Sequence, residues 1–220
     1  METLDTNIIN KHFPGFLPPK YLYLLYMSCN TFYTDKLSEE ELETIYFIPK
    51  TNEELKMAVK LYLNNKDKNY PHISLWDTKY ITNMLQLFSD MKDFNENIND
   101  WIVGNVTNIG YMFKNCKKFN QPLDKWNVSN VTTMNNMFEN CIEFNQPLNC
   151  WNVSNVISMY HVFYNFINFN KRLDKWNVSK VQYMHSTFRD CHNFNQDINN
   201  WNMSIVYDIC YMFLICNVFI

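Results

Sequence analysis

Trp126-Asn-Val-Ser-Asn-Val-Thr-Thr-Met-Asn-Asn-Met-Phe-Glu-Asn-Cys-Ile-Glu-Phe-Asn-Gln-Pro-Leu-Asn-Cys150 is one period of a pattern that begins again at Trp151. Working outward, Trp76, Trp101, Trp126, Trp151, Trp176 and Trp201 are each 25 residues from the next, and they are the only tryptophans in the chain. A fixed period of this length marks an array of stacked structural units. Residues 76–220 therefore read as six copies, and repeat positions are counted here from each tryptophan as position 1.

Within the third copy Val131, Met134, Phe138 and Cys141 are spaced three, four and three apart, with Met137 widening the stripe. That spacing predicts one face of a helix of about three turns. Ser129, Ser154, Ser179 and Ser204 precede the stripe in their copies, where a serine can cap the first turn. Around the tryptophan the period changes, since Trp126 and Val128 flank Asn127, and alternation predicts a short strand. The expected fold class is α/β: a leucine-rich-repeat-like solenoid of six coils, each a short parallel strand plus a short helix.

Two further columns follow from the register. Phe94, Phe119, Phe144, Phe169, Phe194 and Phe219 line up at position 19, and Asn95, Asn120, Asn145, Asn170 and Asn195 come directly after the first five. A polar side chain repeated in every coil is expected to satisfy backbone groups that stacking would leave unpaired. Cys116, Cys141, Cys191 and Cys216 share position 16 with Met91 and Phe166, so the position is chosen for apolar volume and not for disulfides or metal. Seven cysteines and no export signal point to free thiols in a reducing compartment. The sequons at Asn127, Asn130, Asn152 and Asn177 recur because the repeat recurs.

The composition bounds the function classes. Nearly half the residues are apolar, enough for a core, and the formal net charge is -3 with acids and bases interspersed. No basic stripe for phosphate neutralisation is present, so nucleic acid is not the expected partner. The apolar run Tyr21 to Met27 is too short to span a bilayer and follows no signal sequence, so the expected location is the cytoplasm, without membrane contact.

The string Trp-Asn-Val-Ser-Asn-Val-Thr-x-Met-x-x-Met-Phe, then Cys and Phe-Asn-Gln-Pro-Leu, resembles the BspA-like leucine-rich repeat, or DUF285 repeat, of mycoplasma surface lipoproteins. The resemblance covers residues 76–220. Such repeats also occur in large DNA viruses and unicellular eukaryotes, which would place a viral member in the host cytoplasm. The resemblance implies a binding role and no reaction.

Ahead of the repeats, Ser38-Glu-Glu-Glu41 and Thr51-Asn-Glu-Glu54 are two capping boxes, and the second opens a helix with Leu55, Ala58, Val59 and Tyr62 on one face. Residues 51–75 are expected to cap the first coil. Residues 1–50 form a helical region in which Phe16-Leu-Pro-Pro-Lys-Tyr-Leu-Tyr-Leu-Leu-Tyr-Met-Ser-Cys-Asn-Thr-Phe32 resembles the latter part of an F-box. Leu17, Pro19, Leu22, Leu25, Cys29 and Phe32 match without a gap, whereas the family's opening Leu-Pro is Leu4-Asp5 and its acidic residue after the turn is Tyr21. The resemblance implies docking on a Skp-type ubiquitin-ligase adaptor through Leu17, Pro19, Leu22 and Leu25. An ordinary helical cap is the alternative.

Catalytic chemistry is not expected. Gly15, Gly104 and Gly110 are the only glycines and form no phosphate loop. His12, His72, His161, His185 and His192 share no repeat position or metal-ligand spacing, and Cys191 should point away from His185, so no catalytic residue, metal or cofactor is assigned. The expected function is a protein–protein interaction module, an adaptor carrying a target to a cullin-type ligase. The alternatives are a plain scaffold and a surface adhesin. The target is expected on a concave strand face, at Asp124, Lys125, Asn127, Asn149, Asn152, Asp174, Lys175, Asn177 and Asn202. In the sixth copy Ile205, Leu214 and Ile215 replace polar residues, which predicts either a tucked cap or self-association through the last coil.

Overall fold

The computed structural model describes residues 46–65 and 70–216; Leu17, Pro19, Leu22, Leu25, the Ser38 capping box and Phe219 lie outside them. The described residues belong to one compact unit. Its first element is helix α1, Asn52–Asn65. The Thr51 hydroxyl accepts the Glu54 N–H at 3.1 Å and the Glu54 carboxylate accepts the Lys50 N–H at 2.7 Å, so the capping box forms as the sequence predicts. Leu55, Ala58 and Val59 are buried against the first coil.

After a single 3-10 turn, Ile73–Leu75, the chain becomes a stack of 25-residue coils built from turns. The solenoid of strand-plus-helix coils expected from the sequence is not formed: among the described residues α1 is the only α-helix. Strand character is confined to single parallel bridges at position 8, namely Asn83 to Asn108, Thr133, Ser158, Tyr183 and Asp208 in succession. No strand forms around the tryptophans, and the bridges fall inside the segment whose spacing predicted a helix.

Backbone geometry explains the difference. Positions 11 and 15 are left-handed in every coil, as at Asn136 (φ 57°) and Asn140 (φ 60°), and an α-helix cannot pass through a left-handed residue every fourth position. The amide hydrogens then divide into two sets. Those of Met134, Asn136, Phe138 and Asn140 donate to Ser158, Tyr160, Val162 and Tyr164 of the following coil at 2.8–3.4 Å, whereas those of Met137, Glu139 and Cys141 turn back to the carbonyls three residues earlier. Donation to the following coil recurs from the first coil to the fifth, and of the two sets the sixth keeps only the bonds that turn back. A chain that turns every three or four residues buries the same three-four-three pattern as a helix, so the side chains predicted as core are core although the helix is absent. The serines are not caps either, since the Ser129 N–H donates to the Asn127 side chain in a local turn, and Ser154, Ser179 and Ser204 do the same with Asn152, Asn177 and Asn202.

The interior is a set of aromatic columns. Trp126, Trp151, Trp176 and Trp201 stack with centroids 6.1–6.4 Å apart and planes within 3°. Each indole N–H donates to a carbonyl 28 residues earlier, for example Trp151 to Leu123 at 2.9 Å, so the polar edge of a buried ring is satisfied. The thiols of Cys116, Cys141, Cys191 and Cys216 likewise donate to the carbonyls of Phe88, Phe113, Phe163 and Phe188 at 2.8–3.0 Å. The predicted asparagine ladder is present: Asn95, Asn120, Asn145 and Asn170 each accept the N–H of the asparagine one coil on, at 2.9–3.2 Å.

At the N-terminal edge α1 supplies what a preceding coil would. The Asn52 side-chain amide oxygen accepts the N–H groups of Thr82 and Asn83 at 3.0 and 3.1 Å, where later coils use the backbone carbonyl of the coil before. Phe47, Tyr62 and Tyr70 pack on Trp76. In the sixth coil Ile205, Leu214 and Ile215 stay exposed. The tucked cap is therefore not seen among the described residues.

Candidate functional site

Two sets of repeat positions carry the candidate contact residues. The first holds positions 24, 25 and 2, where the sequence placed the target. Stacking brings the nine residues there into columns, but most of their polar atoms bond within the chain. Asp124 accepts from the Asn99 amide at 2.8 Å while Asn99 accepts the Lys125 N–H at 3.1 Å. Asn149 repeats the arrangement with Asp174 and Lys175, at 3.0 Å each. The Lys125 ammonium reaches Asp100 at 2.8 Å. Two bonds from Arg172 hold Asp174, which lowers the pKa of its carboxyl. Asn127, Asn152, Asn177 and Asn202 spend their carbonyl oxygens on their own turns. Lys125 and Asn127 also line an open groove of about 270 Å³ with Asn99, Asp100, Ile102 and Gly104.

The second face holds positions 10, 11 and 14, where exposed or half-buried side chains such as Tyr160, His161 and Arg189 stand beside the buried Asn136, Glu139 and Ser186. Here the side chains differ from coil to coil. Tyr160 stacks on His161 at 4.1 Å and on His185 at 5.0 Å; His161 in turn lies against Tyr164 at 5.1 Å. The Arg189 guanidinium sits over Tyr164 and Tyr211 at 5.6 and 5.9 Å. Partial burial lowers the pKa of His161 and so favours its neutral form. Toward the second coil the face continues through Glu139, which pairs with Lys114 at 3.1 Å and accepts from the Asn136 amide.

In the same column as His161, the side-chain oxygens of Asn136 and Ser186 are buried without a hydrogen-bond partner. Orphaned polar atoms are uncommon in native interiors, and a missing ligand or partner is one physical explanation. Sequence reasoning missed this face because its residues were taken as the solvent side of a helix. The usable signal was composition, since Tyr, His and Arg gather at positions 10, 11 and 14 of the fourth to sixth copies.

A stack of short coils whose variable side chains gather on one surface, while its repeated ones hold the stack together, defines a repeat protein. The family model described as "Mycoplasma protein of unknown function, DUF285" matches residues 56–173 and again 148–220, and the chain belongs to that family. No curated protein and no solved structure matches it. Among the described residues no helix is long and apolar enough to cross a membrane.

Proposed function

We propose that this chain is a protein-interaction module whose contact surface is the Tyr160, His161, Tyr164, His185, Arg189 and Tyr211 face. The observation that carries this reading is the placing of the orphaned Asn136 and Ser186 oxygens in the same column as a half-exposed cluster of tyrosine, histidine and arginine. These are the residue types that dominate protein interfaces, because they bury large rigid area and keep a polar tip. The groove at Lys125 and Asn127 favours the face at positions 24, 25 and 2 as a second reading. A photo-cross-linking residue placed at Tyr160 or at Lys175 separates the two. Protein adducts from position 160 with few from 175 support the first face, and the reverse pattern moves the site. Tyr160→Ala combined with Arg189→Glu should weaken capture about tenfold or more.

The finer reading is a substrate adaptor that links the bound target to a cullin-type ligase. It is supported by the ungapped order of Leu17, Pro19, Leu22 and Leu25. Co-purification of a Skp-type protein, lost on Leu22→Asp with Leu25→Asp, is the expected result; no association at micromolar concentration leaves a plain binding scaffold.

A further inference from the structure

His185, Asp208 and Cys210 occupy positions 10, 8 and 10 of two neighbouring coils, and their ligand atoms (one ring nitrogen, one carboxylate oxygen and one thiol sulfur) lie within 4.8 Å of one another. Each comes prepared. The His185 ring is held between Tyr160, stacked at 5.0 Å, and the edge of Tyr211 at 5.5 Å, so its orientation is fixed. The first oxygen of Asp208 accepts the Cys210 N–H at 3.0 Å, which leaves the second oxygen turned to His185 Nδ1 at 3.3 Å. A tetrahedral cation bound at about 2.0–2.1 Å by a nitrogen and an oxygen separates those two atoms by about 3.3 Å. Cys210 is exposed.

We propose that His185 Nδ1, Asp208 Oδ2 and Cys210 Sγ form a surface site for a divalent cation of the zinc class, with the fourth position open to water or to a partner's side chain. Imidazole, carboxylate and thiolate together suit zinc better than the all-oxygen cations, and three protein ligands leave an open position. The carboxylate is oriented by a backbone N–H in the manner of a supporting shell. At the equivalent place in other coils the same turn is made by Asn83 with Leu85 and by Asn108 with Gly110, neither of which supplies a sulfur or an anionic oxygen. The ligand set is thus added on top of a turn that does not need it.

The site shares His185 with the proposed contact face, but it is tested with metal alone, so the failure of either idea leaves the other standing. The purified full chain, stripped of metal, is titrated with Co²⁺ and then Zn²⁺. The expected result is one Co²⁺ per chain with a thiolate-to-cobalt charge-transfer band that Zn²⁺ abolishes. Cys210→Ser should remove the band, and Asp208→Asn, which keeps the turn as Asn83 and Asn108 do, should weaken binding about tenfold or more. Cys150→Ser, at the other exposed thiol among the described residues, should change nothing. Circular dichroism confirms that each variant is folded. Absence of the band in the parent, its survival in Cys210→Ser, or undiminished affinity in Asp208→Asn overturns the proposal.

Discussion

Asn140 sits at φ 60°, donates from its amide to Asn115 at 2.6 Å, and accepts from Asn165 at 2.7 Å. Asparagine is one of the few residues that tolerates the left-handed region, and it also carries a donor and an acceptor on one short side chain. The two demands can be pulled apart. Asn140→Gly keeps the backbone angle and loses the ladder, which should cost about 1 kcal/mol, whereas Asn140→Ala also strains the backbone and should cost about 2–3 kcal/mol. Denaturant midpoints check the order, and equal losses would show that the angle is irrelevant. The position 20 ladder was legible in the sequence because asparagine never varies there among the first five copies. The position 15 ladder was not singled out, since Asp90, Asn115, Asn140, Asn165 and Asp190 read as polar points on a helix surface.

Helix α1 acts as a substitute coil. It covers Trp76 and supplies, through Asn52, the acceptor that Thr82 and Asn83 would otherwise find in a preceding carbonyl. Asn52→Ala should therefore leave the helix intact, cost about 1 kcal/mol, and raise hydrogen exchange at the Thr82 and Asn83 amides selectively. Thr51→Ala should instead weaken the helix start itself, by about 1 kcal/mol. If both variants accelerate exchange along the whole of α1, then Asn52 does not bridge to the coil. Helix α1 was readable because a capping box and an apolar face are both local. The coil segments were misread for the complementary reason: a spacing of three and four records how often the chain turns, and only long-range hydrogen bonds decide whether those turns close an α-helix.

Across the whole molecule the buried thiols form one column, and their environment makes a statement about stability. Burial pushes Cys116 up to about 12, and moves Cys141 and Cys191 upward as well. An unfolded thiol ionises near pH 8.5–9. Because the folded values are raised, the stabilisation is complete below the unfolded value and is lost as pH rises from about 9 toward 12. Each buried thiol contributes up to about 1.4 kcal/mol per pH unit in that window. Urea midpoints should fall across it, and Cys116→Ala with Cys141→Ala should flatten the fall while lowering stability at pH 7. An unchanged slope in that double variant would assign the loss to other groups.

The 25-residue register, the membership of the core columns, the position 20 ladder and the capped N-terminal helix were all determined by the sequence, since each follows from periodicity or from a contact within a few residues. What fills the space between columns was decided only in three dimensions. Left-handed residues at positions 11 and 15 hand half of the amides to the next coil, and that exchange is invisible in a hydrophobic pattern. The same holds for chemistry. His185 and Cys210 are 25 residues apart, a separation that no compact metal motif would suggest, yet in a stack that rises one coil per 25 residues they are neighbours. Proximity here is set by the period of the fold, so the spacing that brings ligands together is the repeat length itself.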